Sequence, residues 1–283
     1  MQQLIDHINQ IEPPLKLKHT QSIHGGCISQ AFKCESLVGK SYFLKVNSPS
    51  LLSMFEAEYL GLNEMHESKT ILVPRPLLFG KTGSYSFLLL EYFEMGGARN
   101  WSKMGRQLAE MHRVSQESHG WKRDNTIGAT HQPNPLVKNW CDFYREHRLK
   151  FQIDLARKKG LALRKAEDLL ESLPRFFEEL PEPSLLHGDL WSGNVSFTDL
   201  GEPIIFDPAT HFGDRECDLA MTELFGGFPM DFYRAYNEVW PLDKRYKIRK
   251  DLYQLYHILN HFNLFGSGYA QQCENLISDL ASR

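Results

Sequence analysis

Three polar residues of this 283-residue sequence have types and a spacing that suit chemistry. Asp189 lies in Leu185-Leu-His-Gly-Asp-Leu-Trp-Ser-Gly-Asn-Val-Ser-Phe197, five residues before Asn194, and Asp207 closes Pro203-Ile-Ile-Phe-Asp207, 13 residues further on. Phosphoryl transfer needs such parts. One carboxylate orients a substrate hydroxyl and takes its proton, while an amide oxygen and a second carboxylate hold Mg²⁺ against nucleotide phosphates. The plainer alternative is a turn at His-Gly-Asp with Asn194 as a cap, because Gly, Asp and Asn are ordinary turn residues.

The elements around these residues favour the first reading. Val195–Phe197 and Pro203–Phe206 are short apolar runs flanking Thr198-Asp-Leu-Gly-Glu202, the pattern of a hairpin. Such a hairpin sets Asn194 and Asp207 at its two adjoining ends, where both reach one cation, and Pro208 stops regular pairing beyond Asp207. The Asp–Asn–Asp spacing matches the protein-kinase catalytic loop and its metal-binding Asp. Upstream, Gly25, Gly26 and Cys27 sit in a glycine-containing turn whose backbone N–H groups can approach phosphates, although an ordinary hairpin turn has the same look. Ser41-Tyr-Phe-Leu-Lys-Val46 is strand-like with a single lysine, Lys45. The next segment places Leu51, Phe55, Leu62 and Met65 on one helical stripe, and Glu58 falls within it. A carboxylate on an apolar face requires a cation, and Lys45 is the natural partner, whereas Glu56 and Glu64 fall off the stripe and are expected to be solvated. Phe87-Leu-Leu-Leu-Glu-Tyr-Phe93 reads as a buried strand entering a linker, where the backbone at Glu91 and Phe93 could meet the adenine edge.

Helical patterns follow at Trp101–Arg113, Leu136–Lys159, Leu161–Glu179, Asp214–Leu224, Met230–Val239 and Lys247–Leu264, after an opening helix near 1–11. Asp214 is placed to cap its helix, and Asp218, one turn in, to brace the catalytic loop. Only six residues separate Asp207 from Asp214, too few for a long peptide-docking segment, so a small acceptor fits better. His257 and His261 share an i, i+4 spacing, but no third ligand accompanies them and a zinc site is not expected. Trp191 has two readings, a core aromatic or a stacking surface for a sugar or an amine-bearing side chain. Cys27 reads as a small turn residue, with a redox-sensitive thiol as the alternative.

Composition sets outer bounds. With 42% hydrophobic residues the chain can build sizeable cores, and a net charge of −3 carries no nucleic-acid footprint. Five cysteines without a Cys-x-x-Cys pair argue against a disulfide framework or a zinc site. The polar start Met1–Gln10 lacks the apolar region of a signal peptide, and the apolar runs are too short to cross a bilayer, so a cytoplasmic protein without a membrane partner is expected.

Taken together, the motifs resemble the fructosamine/ketosamine-3-kinase family, within the larger group of aminoglycoside and choline phosphotransferases. The resemblance runs through Gly25-Gly-Cys-Ile-Ser29, Phe43-Leu-Lys-Val-Asn47, Phe55-Glu-Ala-Glu58, Asp124-Asn-Thr-Ile-Gly-Ala-Thr130, His187-Gly-Asp-Leu-Trp-Ser-Gly-Asn194, Phe206-Asp-Pro-Ala209, Gly213-Asp-Arg-Glu-Cys-Asp218 and Leu224-Phe-Gly-Gly-Phe228. It implies an α+β, bilobal protein-kinase-like fold. The small antiparallel-sheet lobe that binds ATP would span residues 1–92, and a mainly helical catalytic and acceptor lobe residues 93–283. It further implies an ATP- and Mg²⁺-dependent kinase acting on the C3 hydroxyl of small ketoamines or glycated amines and proteins. Asp189 would be the base, Asn194 and Asp207 the metal ligands, and Lys45 with Glu58 the phosphate clamp. His261 would line the acceptor cleft with Trp191. Another small-molecule hydroxyl kinase of the superfamily, or a nucleotide-binding regulator without catalysis, stays open at this point.

Overall fold

The computed structural model describes residues 1–23 and 29–283. In its first third, α1 (Gln2–Ile11) precedes β1 (Leu17–Ile23), β2 (Gln30–Ser36) and β3 (Ser41–Asn47). Then α2 (Leu52–Ser68) leads to β4 (Pro76–Lys81) and β5 (Ser86–Glu91). The five strands form one antiparallel sheet in the order β1-β2-β3-β5-β4. Alternation along β3 explains how the sheet is used. Tyr42, Leu44 and Val46 point to one face, where they are buried beneath Leu4, Ile5 and Ile8 of α1. Phe43 and Lys45 point to the other face, toward α2, whose Phe55, Leu62 and Met65 are fully buried.

Beyond β5 the chain is mostly helical. α3 (Trp101–His112) begins where the Asn100 side chain accepts the Lys103 N–H at 2.9 Å, a standard N-cap. There follow β6 (Asn125–Ile127), β7 (Thr130–Gln132), α4 (Trp140–Tyr144), a π-helical turn over Arg145–Lys150, α5 (Phe151–Lys158) and α6 (Ala166–Ser172). β8 (Ser184–Leu186), β9 (Val195–Phe197), β10 (Pro203–Ile205) and β11 (His211–Gly213) carry the polar motifs. α7 (Glu216–Leu224), α8 (Met230–Val239), α9 (Tyr246–Phe265) and α10 (Ala270–Ser282) complete the fold. β9 pairs with β10, and β8 with β11, all antiparallel. One apolar cluster joins the sheet and α2 to α3, α8 and the strands of the catalytic segment; a second is built from α4 to α6, α9 and α10.

Most expected elements are present with shifted ends. The helix expected from Leu136 starts at Trp140, because Asn139 caps it by accepting the Asp142 N–H, and Leu136 stays exposed. The segment 161–179 holds only α6 and a 3₁₀ turn over Leu173–Phe176, since Pro174 cannot supply an interior helical N–H. Asp214 accepts the Glu216 N–H at 2.9 Å, but it stands one residue ahead of the N-cap, which is Arg215, and the regular helix begins two residues later than Asp214. α10 was not anticipated, although Cys273, Ile277 and Leu280 carry its buried stripe. Cys34, Cys141, Cys217 and Cys273 are free thiols. No helix among the described residues is long and apolar enough to cross a membrane.

Candidate active site

The loop between β8 and β9 is held from below by Asp218. Its carboxylate accepts the N–H groups of His187 and Gly188, each at 2.8 Å, and also meets His112 Nε2 at 3.1 Å. The bracing role expected for Asp218 is what the geometry provides. Gly188 is in the left-handed region (φ 82°) and packs so closely that an added Cβ would lie 2.2 Å from the Ala209 carbonyl oxygen. His187 ties the loop to the neighbouring hairpin: its Nε2 donates to the Phe206 carbonyl at 2.9 Å, and its Nδ1 accepts the Asp189 N–H at 3.2 Å. That tautomer is the neutral imidazole, and burial lowers the His187 pKa in keeping with it. His112, beneath, meets Tyr236 Oη at 2.8 Å, and Arg215 donates to the same hydroxyl at 3.1 Å. Sequence reasoning missed His112 and Tyr236, which lie 77 and 47 residues from Asp189, and no local signal marks either of them.

Asn194 turns its amide nitrogen inward, donating to the Asp189 carbonyl at 2.9 Å and to Asp189 Oδ2 at 3.3 Å. Its amide oxygen is thereby turned away from Asp189. The Phe206 N–H donates to the Asn194 carbonyl at 3.1 Å, so Asp207, the next residue, stands beside Asn194 as the hairpin pattern predicts. Asp207 adopts a left-handed backbone (φ 59°), a conformation that Asp tolerates better than most side chains. Asp189 is half-buried, and its carboxyl is pushed up to about 7, first by burial and then by the charge of Asp207.

Lys45 completes the cluster. Its Nζ lies 2.6 Å from Glu58 Oε1 and 2.5 Å from Asp207 Oδ1, and the Lys45 and Glu58 side chains are 11% and 10% exposed. Burial acts to lower the Lys45 pKa, but the charges of Asp207 and Glu58 outweigh it and hold the ammonium above its ordinary range. The lysine–glutamate pair expected from the α2 stripe is therefore formed. Glu56 and Glu64 lie off the stripe as expected, but both are ion-paired: Glu56 with Arg123, and Glu64 with Lys122 and the Trp121 indole N–H.

Trp191 is half-buried and belongs to neither of the two larger apolar clusters. Its indole lies across Gly193, where an added Cβ would come within 2.3 Å of the ring. Phe225 meets it edge-on at 6.5 Å, His261 lies 4.8 Å from Phe225, and Phe265 and Tyr269 flank His261 at 5.5 and 5.2 Å. The structure thus joins Trp191 to His261 through Phe225, a residue the sequence motif contained without marking. His261 Nδ1 pairs with the His257 carbonyl at 2.8 Å. His257 is buried, and burial pushes its pKa down to about 3; no group of three potential metal-ligating His, Cys, Asp or Glu residues exists among the described residues.

Glu91 ends β5 opposite Tyr42, with its N–H on the Arg75 carbonyl at 2.9 Å, and Phe93 lies just beyond. The linker that follows is tied to the catalytic hairpin: Gly96 and Gly97 donate to the Phe197 and Thr198 carbonyls, and Asp199 donates to Glu94. Gly25, Gly26 and Cys27 lie outside the described residues, between the ends of β1 and β2.

A sequence model of the family described as fructosamine kinase matches residues 1–283. A Synechocystis protein named probable ketoamine kinase is 46% identical over 274 residues, covering 93% of this chain and 90% of that protein. The chloroplastic protein-ribulosamine 3-kinase of Arabidopsis thaliana is 43% identical over 267 residues, covering 91% of this chain and 81% of the relative. Among solved structures, a Haemophilus somnus 129PT protein described as a candidate fructosamine-3-kinase superposes with a TM-score of 0.89 at 29% identity, covering 96% of each chain. Choline kinase from Streptococcus pneumoniae shares the fold, with a TM-score of 0.65 at 14% identity over 99% of this chain and 98% of that one. The fold is accordingly the bilobal α+β protein-kinase-like one, and a family match running from the first residue to the last makes this chain a kinase of the fructosamine kinase family.

Proposed function

We propose that this kinase transfers the γ-phosphoryl group of ATP to the C3 hydroxyl of a ketoamine, a sugar joined to an amine through a 1-amino-1-deoxyketose linkage. The observation that carries the reading is the single cluster of Asp189, Asn194, Asp207, Lys45 and Glu58 at the junction of sheet and helical lobe. The names of the relatives supply the acceptor class. On this reading residues 1–92 form the ATP-binding lobe and 93–283 the catalytic and acceptor lobe.

Asp189 binds the acceptor hydroxyl and takes its proton as the hydroxyl oxygen bonds to the γ-phosphorus and the bond to the ADP oxygen breaks. A carboxyl pushed up to about 7 is a stronger base than an ordinary aspartate, and its ionised fraction at neutral pH is still large. Asn194 and Asp207 would hold Mg²⁺. Their oxygens are the hard donors this ion takes, and a site with one carboxylate and one amide suits an ion that binds phosphates and keeps water. When bound, the ion neutralises charge on the phosphate oxygens. Lys45, held by Glu58, clamps the phosphates. The backbone at Glu91 and Phe93 receives the adenine edge. Trp191 stacks on the acceptor, with His261 further along the same aromatic wall.

Phosphate placed at C3 stands on a carbon next to the ketone. Enolisation of the product toward C1 expels that phosphate from C3, and water then hydrolyses the imine left at C1, freeing the amine and leaving a deoxyosone, which makes the kinase a deglycating enzyme in effect. Only six residues separate Asp207 from Asp214, too few for a long peptide-docking segment, so the small ketoamine itself is the recognised unit, whether free or attached to a protein. The cytoplasm is its proposed compartment. An assay of ADP release with a fructosamine, a ribulosamine, choline and an aminoglycoside tests the assignment. Release dependent on the ketoamines supports it; release with choline or the aminoglycoside alone defeats it.

A further inference from the structure

The Asp124-Asn-Thr-Ile-Gly-Ala-Thr130 segment has no place in the reaction described above, yet it forms the β6–β7 hairpin directly against the residues that follow Asp207. Two of its side-chain amides are almost wholly buried, Asn125 at 7% and Gln132 at 1% exposed. The Asn125 amide nitrogen donates to the Thr210 carbonyl at 2.7 Å. The Gln132 amide nitrogen donates to the Ala209 carbonyl at 3.2 Å and to Asn125 Oδ1 at 2.8 Å. The segment from Asp207 to Thr210 is irregular, with Asp207 in a left-handed conformation and Pro208 unable to donate, so its geometry depends on such external bonds.

Both amides are in turn oriented from deeper in the protein. Tyr256 of α9 donates its hydroxyl to Gln132 Oε1 at 2.6 Å. Asn134 donates to Asn125 Oδ1 at 2.9 Å, and Arg148 donates to Asn134 Oδ1 at 2.6 Å. Arg148 is 1% exposed, lies on the π-helical turn and forms no ion pair among the described residues; its Nη1 donates to the Pro133 and His147 carbonyls, its Nε has no partner, and its guanidinium lies 4.6 Å from the Phe143 ring centre. In both chains each amide accepts from below and donates toward the Asp207 segment. Bonds aligned in this way polarise one another, and a charged group at the head of one chain strengthens it further.

We infer that Gln132 and Asn125 are positioning residues for Asp207, clamping the backbone just beyond it so that its carboxylate is held where a metal ion beside the nucleotide phosphates needs it. This rests on the proposed role of Asp207 as a metal ligand. Arg148, buried without an ion-pair partner among the described residues, and Tyr256 then have a purpose: they fix which way the two amides face. Tyr256 belongs to α9, the helix that also carries His261.

The test is metal affinity, read apart from turnover. Mn²⁺ binding to the full chain with a non-hydrolysable ATP analogue is followed by electron paramagnetic resonance, for the parent, Gln132→Leu, Asn125→Ala, Asp207→Asn and Leu280→Ala. Loss of the donors to Ala209 or Thr210 should weaken Mn²⁺ binding about tenfold, the scale of one to two hydrogen bonds. The ketoamine KM should change less than threefold. Leu280→Ala, in the distant α10 core, should lower the melting temperature without moving Mn²⁺ affinity, so a loss in the clamp variants is not mere destabilisation. If Gln132→Leu does not fold, Asn125→Ala decides alone. Affinities within twofold of the parent in the clamp variants, with Asp207→Asn impaired, overturn the clamp. An unimpaired Asp207→Asn overturns the metal-ligand reading itself, and the clamp with it.

Discussion

Replacing Asp189 with Asn should stabilise the nucleotide-free protein at neutral pH while removing its activity. Burial, with help from Asp207, pushes the Asp189 carboxyl from its ordinary 3.8 up to about 7. The sign follows from which state keeps the proton. Between about pH 4 and 7 the unfolded chain has released it while the folded chain retains it, so the parent loses roughly 1.4 kcal/mol of stability per pH unit across that window. Above about pH 7 both states are ionised and the deficit stays constant. Three units set a ceiling of roughly 4 kcal/mol; partial solvation of a half-buried carboxylate lowers the expectation to about 2 kcal/mol. For a chain of this size that is a rise in Tm of about 5 °C. Thermal melts of parent and Asp189→Asn without nucleotide, from pH 4.5 to 8, give the comparison directly. The two curves should nearly meet at the acid end and separate as pH rises to 7, with the variant higher. Parallel curves, or a variant that melts lower at pH 7.5, would refute the electrostatic account of this site.

The same Asp189→Asn variant should retain its ATP KM and lose about 10² or more in kcat, the scale of general-base and orienting help, as steady-state kinetics will show. Lys45→Met leaves the buried Glu58 without its cation and should cost about 3 kcal/mol in urea unfolding as well as raising the ATP KM; adding Glu58→Gln should recover part of the stability and none of the activity. Trp191→Leu should raise the ketoamine KM well above any change in the ATP KM, because the indole lies outside both cores; equal effects, or a fall in Tm alone, would return it to a packing role. Asp207→Asn should raise the Mg²⁺ concentration for half-maximal activity, read from a metal titration.

What the sequence revealed and what it hid follow different physics. The catalytic hairpin was legible because Asn194 and Asp207 flank two apolar runs around a turn, and antiparallel pairing brings the ends of such runs together. The Lys45–Glu58 pair was legible because a carboxylate on an apolar stripe has few ways to be satisfied. His112, Tyr236, Gln132 and Tyr256 were not. Their partners are distant in sequence, as with the 106 positions between His112 and Asp218 or the 124 between Gln132 and Tyr256, and polar residues inside a helix look like solvent-facing ones until packing is known. The aromatic cluster was half-legible: Trp191 and His261 were singled out, but nothing in the sequence marked Phe225 as the ring that joins them. Helix ends failed where a cap or a proline, rather than the apolar period, set the boundary, as at Asn139 and Pro174.

The most direct test of the central claim is phosphorus NMR of the protein incubated with Mg·ATP and a ribulosamine or fructosamine. One new phosphomonoester signal should grow in step with ADP, coupled to the proton on C3 of the sugar. After the enzyme is removed, that signal should decay into inorganic phosphate while the free amine appears, because the phosphate leaves from a carbon beside a carbonyl. A phosphoester at C6, or no ketoamine-dependent signal at all, would contradict the account.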